Sequence, residues 1–151
     1  MTEINFYQID DVITKSLAPL LMKVMEDKKK ALIYCTNAAK FKEIDDSLWT
    51  YGKHRFIPHL TPLDKEIAAE FGWERQPILL NNKEENLNKA DCLVMVDEAS
   101  EAFALGFKRV FYFYDAIDAG AAKAIAKRFD GKVKKVNSYK KEDGKWVASG
   151  L

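Results

Sequence analysis

The chain of 151 residues is poor in the residues that build reactive centres: two cysteines, two histidines, seven glycines and four prolines. No Gly-x-x-x-x-Gly-Lys-Ser/Thr loop is present. The turn after the first strand-like run, Ile9-Asp10-Asp11-Val12, contains no glycine. Backbone there cannot approach a pyrophosphate closely, and two acidic side chains at a helix start repel phosphate. Ala119-Gly120-Ala121-Ala122 opens a helix, but a single glycine there suits close helix packing better than a phosphate. A Gly-x-Ser-x-Gly nucleophile elbow is missing as well. Cys35 and Cys92 stand near the ends of apolar runs, with no metal-ligand spacing and no disulfide framework, and read as buried, reduced thiols. Cys35 has no base among its neighbours Tyr34, Thr36 and Asn37. His54 and His59 have no cysteine nearby and make a poor zinc site. His54, between Lys53 and Arg55, reads as a solvated residue, and His59, after Ile57-Pro58, as a structural hydrogen-bonding one. No apolar run reaches the length of a membrane span, and Met1 to Asn5 shows no basic-then-apolar leader. The expectation is a cytoplasmic protein with no catalytic residues, no cofactor and no metal.

What the chain does contain is alternation. Ile4–Ile9, Ala31–Cys35, Pro77–Leu80, Cys92–Val96 and Arg109–Tyr114 read as strands. Between them lie apolar residues at helical spacing: Val12 to Met25 after an Asp10 or Asp11 cap, with Pro19 a possible kink, and Phe41 to Trp49 after a Thr36 or Asn37 cap, ending at Tyr51-Gly52. Glu98 to Leu105 and Asp118 to Phe129 complete the helices, with Gly106 and Gly131 as stops. Lys132–Tyr139 and Trp146-Val147 are the last extended runs, joined through the turn Glu142-Asp143-Gly144-Lys145. Residues 53–76, which hold both histidines and two prolines, read as irregular. Strands alternating with helices predict a single α/β domain over residues 1–151, a Rossmann-like three-layer sandwich whose mostly parallel central sheet carries helices on both faces.

The net charge of +1 conceals a segregation. Residues 1–122 carry 15 basic and 20 acidic side chains, a net of −5, whereas residues 123–151 carry 9 and 3, a net of +6. A basic end on a neutral chain invites an acidic partner; a plain solvated basic face is the alternative. Lys132, Lys134, Lys135, Tyr139, Lys140, Lys141, Lys145 and Trp146 mix cations with aromatics in the manner of a single-strand-binding surface, though the chain as a whole is too neutral for a dedicated DNA binder.

The segment Asp45-Asp46-Ser47-Leu48-Trp49, a six-residue spacer and Phe56-Ile57-Pro58-His59 resemble the signature of the chi subunit family of bacterial DNA polymerase III. Ile4-Asn5-Phe6-Tyr7 is similar to the family's first strand, and the length, element order and basic end agree. The resemblance implies a non-catalytic accessory subunit of the clamp loader with a nucleotide-free Rossmann-like sheet. It implies two partners: the acidic, Phe-terminated tail of single-stranded-DNA-binding protein, and the psi subunit or an equivalent. Contact with nucleic acid would be mainly indirect, and none with membrane is implied. Matched onto this chain, the tail site falls on Lys123, Lys127 and Arg128, with Lys132 and Lys134 as further cations and Phe113 lining an apolar socket. Trp49 and Phe56 match the aromatics of the second partner face, where they serve either as contacts or as core anchors. The family's late helix can continue with an aromatic-basic pair, whereas Asp130-Gly131 closes it early here. Two other classes stand beside this reading: a small nucleotide- or nucleic-acid-processing enzyme on the same fold, and a direct single-stranded-DNA binder.

Overall fold

The computed structural model describes residues 2–50 and 57–151. Seven strands form one sheet: β1 (Glu3–Gln8), β2 (Ala31–Tyr34), β3 (Ile78–Asn81), β4 (Cys92–Met95), β5 (Arg109–Tyr114), β6 (Lys135–Glu142) and β7 (Lys145–Ala148). Their order is β3-β2-β4-β5-β1-β6-β7, with every pair parallel except the β6–β7 hairpin. β2, β3 and β4 are buried on both faces, which is why they are continuous apolar runs with no polar alternation. The helices are α1 (Thr14–Glu26), α2 (Ala38–Trp49), α3 (Lys65–Phe71), α4 (Glu101–Ala104) and α5 (Ala119–Phe129). Leu17, Leu21 and Val24 of α1, with Ile44 and Leu48 of α2, pack on Ile33, Val94, Phe111 and Phe113. Ala68, Ala104, Ala122, Ile125 and Phe129 of α3, α4 and α5 pack on Ile4, Phe6, Leu93, Val110 and Tyr112. The result is the three-layer, Rossmann-like arrangement expected from the alternation.

The differences are local and have physical causes. α1 starts at Thr14, not after Asp10 or Asp11, and runs through Pro19 without interruption. Asp11 instead accepts from the Val12 N–H and pairs with Lys15. Asn37 caps α2, its side chain accepting from the Lys40 N–H at 3.0 Å. That helix closes at Thr50, and Gly52 lies outside the described residues. The irregular segment contains a helix, α3, that burial would not reveal: of its seven residues only Ala68 is buried, and Ile67 and Phe71 are exposed. β6 begins three residues later than expected, because Gly131 at φ 77° turns the chain and residues 132–134 lead back to the sheet, where the Lys134 N–H donates to the Thr2 carbonyl. Asp143 and Gly144, both at positive φ, make the tight turn into β7.

Candidate functional site

The crevice at the carboxyl ends of β1, β4 and β5 is where open α/β sheets take their ligands. Here it is a cavity of about 190 Å³ whose charged lining is Asp11, Glu43, Asp115 and Asp118 against the single ammonium of Lys40. Four carboxylates facing one cation oppose a phosphate. At the neighbouring strand end, burial pushes the Cys35 thiol up to about 11, helped by the adjacent Asp97 carboxylate. That is the reverse of nucleophile activation. Burial also pushes the Cys92 thiol up. Among the described residues no group of three or more His, Cys, Asp or Glu side chains is placed to hold a metal ion.

The outer surface of α5 differs from this crevice in being cationic and partly apolar. On α5, Ala122, Ile125 and Phe129 face the core, so Lys123 and Lys127, one turn apart, emerge together on the outer side. They line an open groove of about 290 Å³ with Ala126 and Asp130 of the same helix and its exit, Val136 of β6 and Leu151. Among the described residues neither lysine has an ion-pair partner. Arg128 leaves the helix on another side, and Lys132 lies just past the helix end. Arg128 pairs with Glu98, and Lys132 meets Glu101 at 2.6 Å. Lys134 is exposed beside the start of β6. The structure thus brings Lys123 and Lys127 together, sets Arg128 and Lys132 against the acids around α4, and places Phe113 elsewhere. Phe113 is buried on the sheet face that carries α1, opposite α5, and stacks on Tyr7 at 5.3 Å. Apolar contacts in the groove come from Ala126, Val136 and Leu151, which sequence reasoning did not single out. The alternation of β6 was the available signal, since Val136 falls on the face that α5 covers.

The segment around Leu48-Trp49 and Ile57-Pro58-His59 is a second constellation. Leu48 and Ile57 are buried in the α2-side cluster, and the Ile57 N–H donates to the Leu48 carbonyl at 2.7 Å. The buried His59 ring has Nε2 2.6 Å from Asp45 Oδ1 and Nδ1 2.8 Å from the Ile57 carbonyl. Both partners are acceptors, so both contacts are hydrogen bonds when both ring nitrogens carry protons. Leu60 then pairs with Leu79 as one extra rung beside β3, covering the sheet edge. Trp49 lies over the His59 ring at 4.7 Å and remains 45% exposed. Phe56 lies outside the described residues.

An open, mostly parallel sheet with an acidic strand-end crevice and a basic, partly apolar groove on its last helix defines a Rossmann-like α/β module. The chain belongs to the DNA polymerase III chi subunit family: the family described as DNA polymerase III chi subunit, HolC, matches residues 1–132. A relative from Rickettsia prowazekii (strain Madrid E), the probable DNA polymerase III subunit chi, is 24% identical over 143 residues, covering 89% of this chain and 82% of that protein. The C-terminal domain of the DEAD-box protein Dbp5 has a similar fold, with a TM-score of 0.58 at 13% identity over 93% of this chain and 90% of that one. The chain is therefore akin to a DNA-replication subunit, while the Dbp5 likeness concerns the fold alone.

Proposed function

We propose that this protein is a non-catalytic accessory subunit of the clamp loader that takes the acidic, Phe-terminated tail of single-stranded-DNA-binding protein into the α5 groove. One observation carries this reading: Lys123 and Lys127, without ion pairs among the described residues, flank a groove walled by Ala126, Val136 and Leu151. Tail aspartates meet the ammonium groups, and the terminal phenylalanine enters the apolar part. Arg128, Lys132 and Lys134 extend the positive field at longer range, which raises the encounter rate with an acidic peptide. Phe113, buried on the other face, has no part in this socket.

The second partner, the psi subunit or an equivalent, docks on the face marked by Trp49, which exposes nearly half of a large aromatic surface above a rigid His59–Asp45 support. Phe56 belongs to the same proposal through its place in the motif. A non-catalytic role agrees with the raised Cys35 thiol and the acidic strand-end crevice. The cytoplasm is the compartment that this reading expects. The test is capture of intact against tail-deleted single-stranded-DNA-binding protein on the purified chain. Retention of the intact protein and loss of the tail-deleted one is the expected result; equal retention of both rejects the tail as the ligand.

A further inference from the structure

The face of the sheet that carries α1 is only partly covered at its β6–β7 end. A ladder of rings crosses it: Phe113 to Tyr7 at 5.3 Å and Tyr7 to Tyr139 at 5.0 Å, both nearly parallel. Trp146 of β7 closes the ladder, meeting Tyr7 at 4.9 Å and 78°. Trp146 and Tyr139 are half-buried, neither core nor fully solvated. Between this ladder and α1 runs a groove of about 250 Å³ lined by Tyr7, Pro19, Leu20, Lys23, Phe113 and Trp146. Among the described residues no second ring stacks on the Trp146 indole; the flexible Lys141 side chain lies over it, with Nζ 5.1 Å from the ring centre.

The cations are placed with the rings. Along β6 the side chains on this face are Lys135, Asn137, Tyr139 and Lys141, so two ammonium groups bracket the aromatic position. Lys23 stands at the α1 rim. None of the three has an ion-pair partner among the described residues, while the nearby Asp11 is already paired with Lys15 at 2.6 Å. β6 and β7 lie beyond the family's match, which ends at residue 132, whereas β1, β5 and α1 lie within it. An aromatic groove with unpaired lysines on both rims suits a ligand that is flat and apolar at intervals and anionic between them.

We propose that this groove is a contact site for single-stranded DNA, with a base stacking on Trp146 and flanking phosphates meeting Lys23, Lys135 and Lys141. The site is separate from the α5 groove, on the opposite face of the sheet, and does not depend on the tail reading. An acidic peptide is the competing occupant, since it also satisfies lysines, but it offers no ring at every unit to match the ladder.

The test uses the full chain and a labelled oligodeoxythymidine of about 12 nucleotides, within the span that aromatic grooves cover. Binding at low salt, weakening as salt rises, is expected. Trp146→Ala lowers the affinity about tenfold, in the range that loss of one stacking contact produces. Lys23→Glu with Lys141→Glu does the same without touching the ring, so the test stands even where the tryptophan variant fails to fold. In a Trp49→Phe/Trp73→Phe variant the remaining Trp146 emission is quenched by the oligonucleotide. Lys123→Gln/Lys127→Gln, on the other face, lowers oligonucleotide binding far less than the Lys23 and Lys141 changes. No binding at low salt, binding indifferent to the Lys23 and Lys141 changes, or displacement of the oligonucleotide by an acidic Phe-terminated peptide each overturns the proposal.

Discussion

His59 is held by the carboxylate of Asp45 and the carbonyl of Ile57, with Trp49 above the ring. These contacts turn the Asp45, Leu48-Trp49 and Ile57-Pro58-His59 pattern into a mechanical joint between the end of α2 and the covered edge of the sheet. His59→Ala removes a fully buried side chain together with its contacts to Asp45 and the Ile57 carbonyl; a loss of about 2–4 kcal/mol in urea denaturation is expected. An unchanged denaturation midpoint would show that the joint carries no stability. That His59 serves a structural role was legible from its place after Ile57-Pro58, but its partner Asp45, fourteen residues away, was not, because only the fold brings them together. The same holds for Glu98 and Glu101, which engage Arg128 and Lys132. These acids compete with any acidic ligand for the two cations. Glu98→Gln with Glu101→Gln is expected to tighten acidic-tail binding about twofold to fivefold, the range of exposed ion pairs, as read by fluorescence anisotropy.

At the scale of elements, the strands and the longer helices follow from apolar runs and periodicity, and α5 was legible to within a residue. α3 was not, because a seven-residue helix with one buried position leaves almost no amphipathic signal. Phe113 shows the complementary limit. A sequence places it at the end of β5, but strand alternation assigns its side chain to the α1 face, away from the lysines of α5. The turn between β2 and α2 rests on a carboxylate. Burial pushes the Asp97 carboxyl upward, but hydrogen bonds donated by the Asn37 N–H, the Thr36 N–H and the Thr36 hydroxyl outweigh it and hold it below its ordinary value. A carboxyl depressed by folding contributes stability that is fully present above its unfolded value, about 3.9, and is lost as pH falls through the folded one. Asp97→Asn is therefore expected to cost about 1–2 kcal/mol near neutral pH, with the gap to the wild type closing below about pH 4. A gap of constant size across that interval in denaturation curves would contradict the assignment.

Across the whole molecule, the proposed function rests on where charge sits on a fold that is otherwise generic. The acidic first 122 residues surround the strand-end crevice, and the basic last 29 carry α5's outer face and the β6–β7 hairpin. This segregation was legible by counting side chains. Its division between two faces of one sheet was not, since that needs the register of β6 against β1. The tail reading is tested most directly by anisotropy of a labelled acidic, Phe-terminated peptide titrated with wild type and with Lys123→Glu/Lys127→Glu over a range of salt. Both lysines are exposed, so the variant is expected to keep its fold by circular dichroism. The account predicts a dissociation constant on the order of micromolar for the wild type at low salt, weakening as salt rises, and at least about a tenfold loss in the variant. Equal affinity of the two proteins, or no binding by the wild type at low salt, would contradict it.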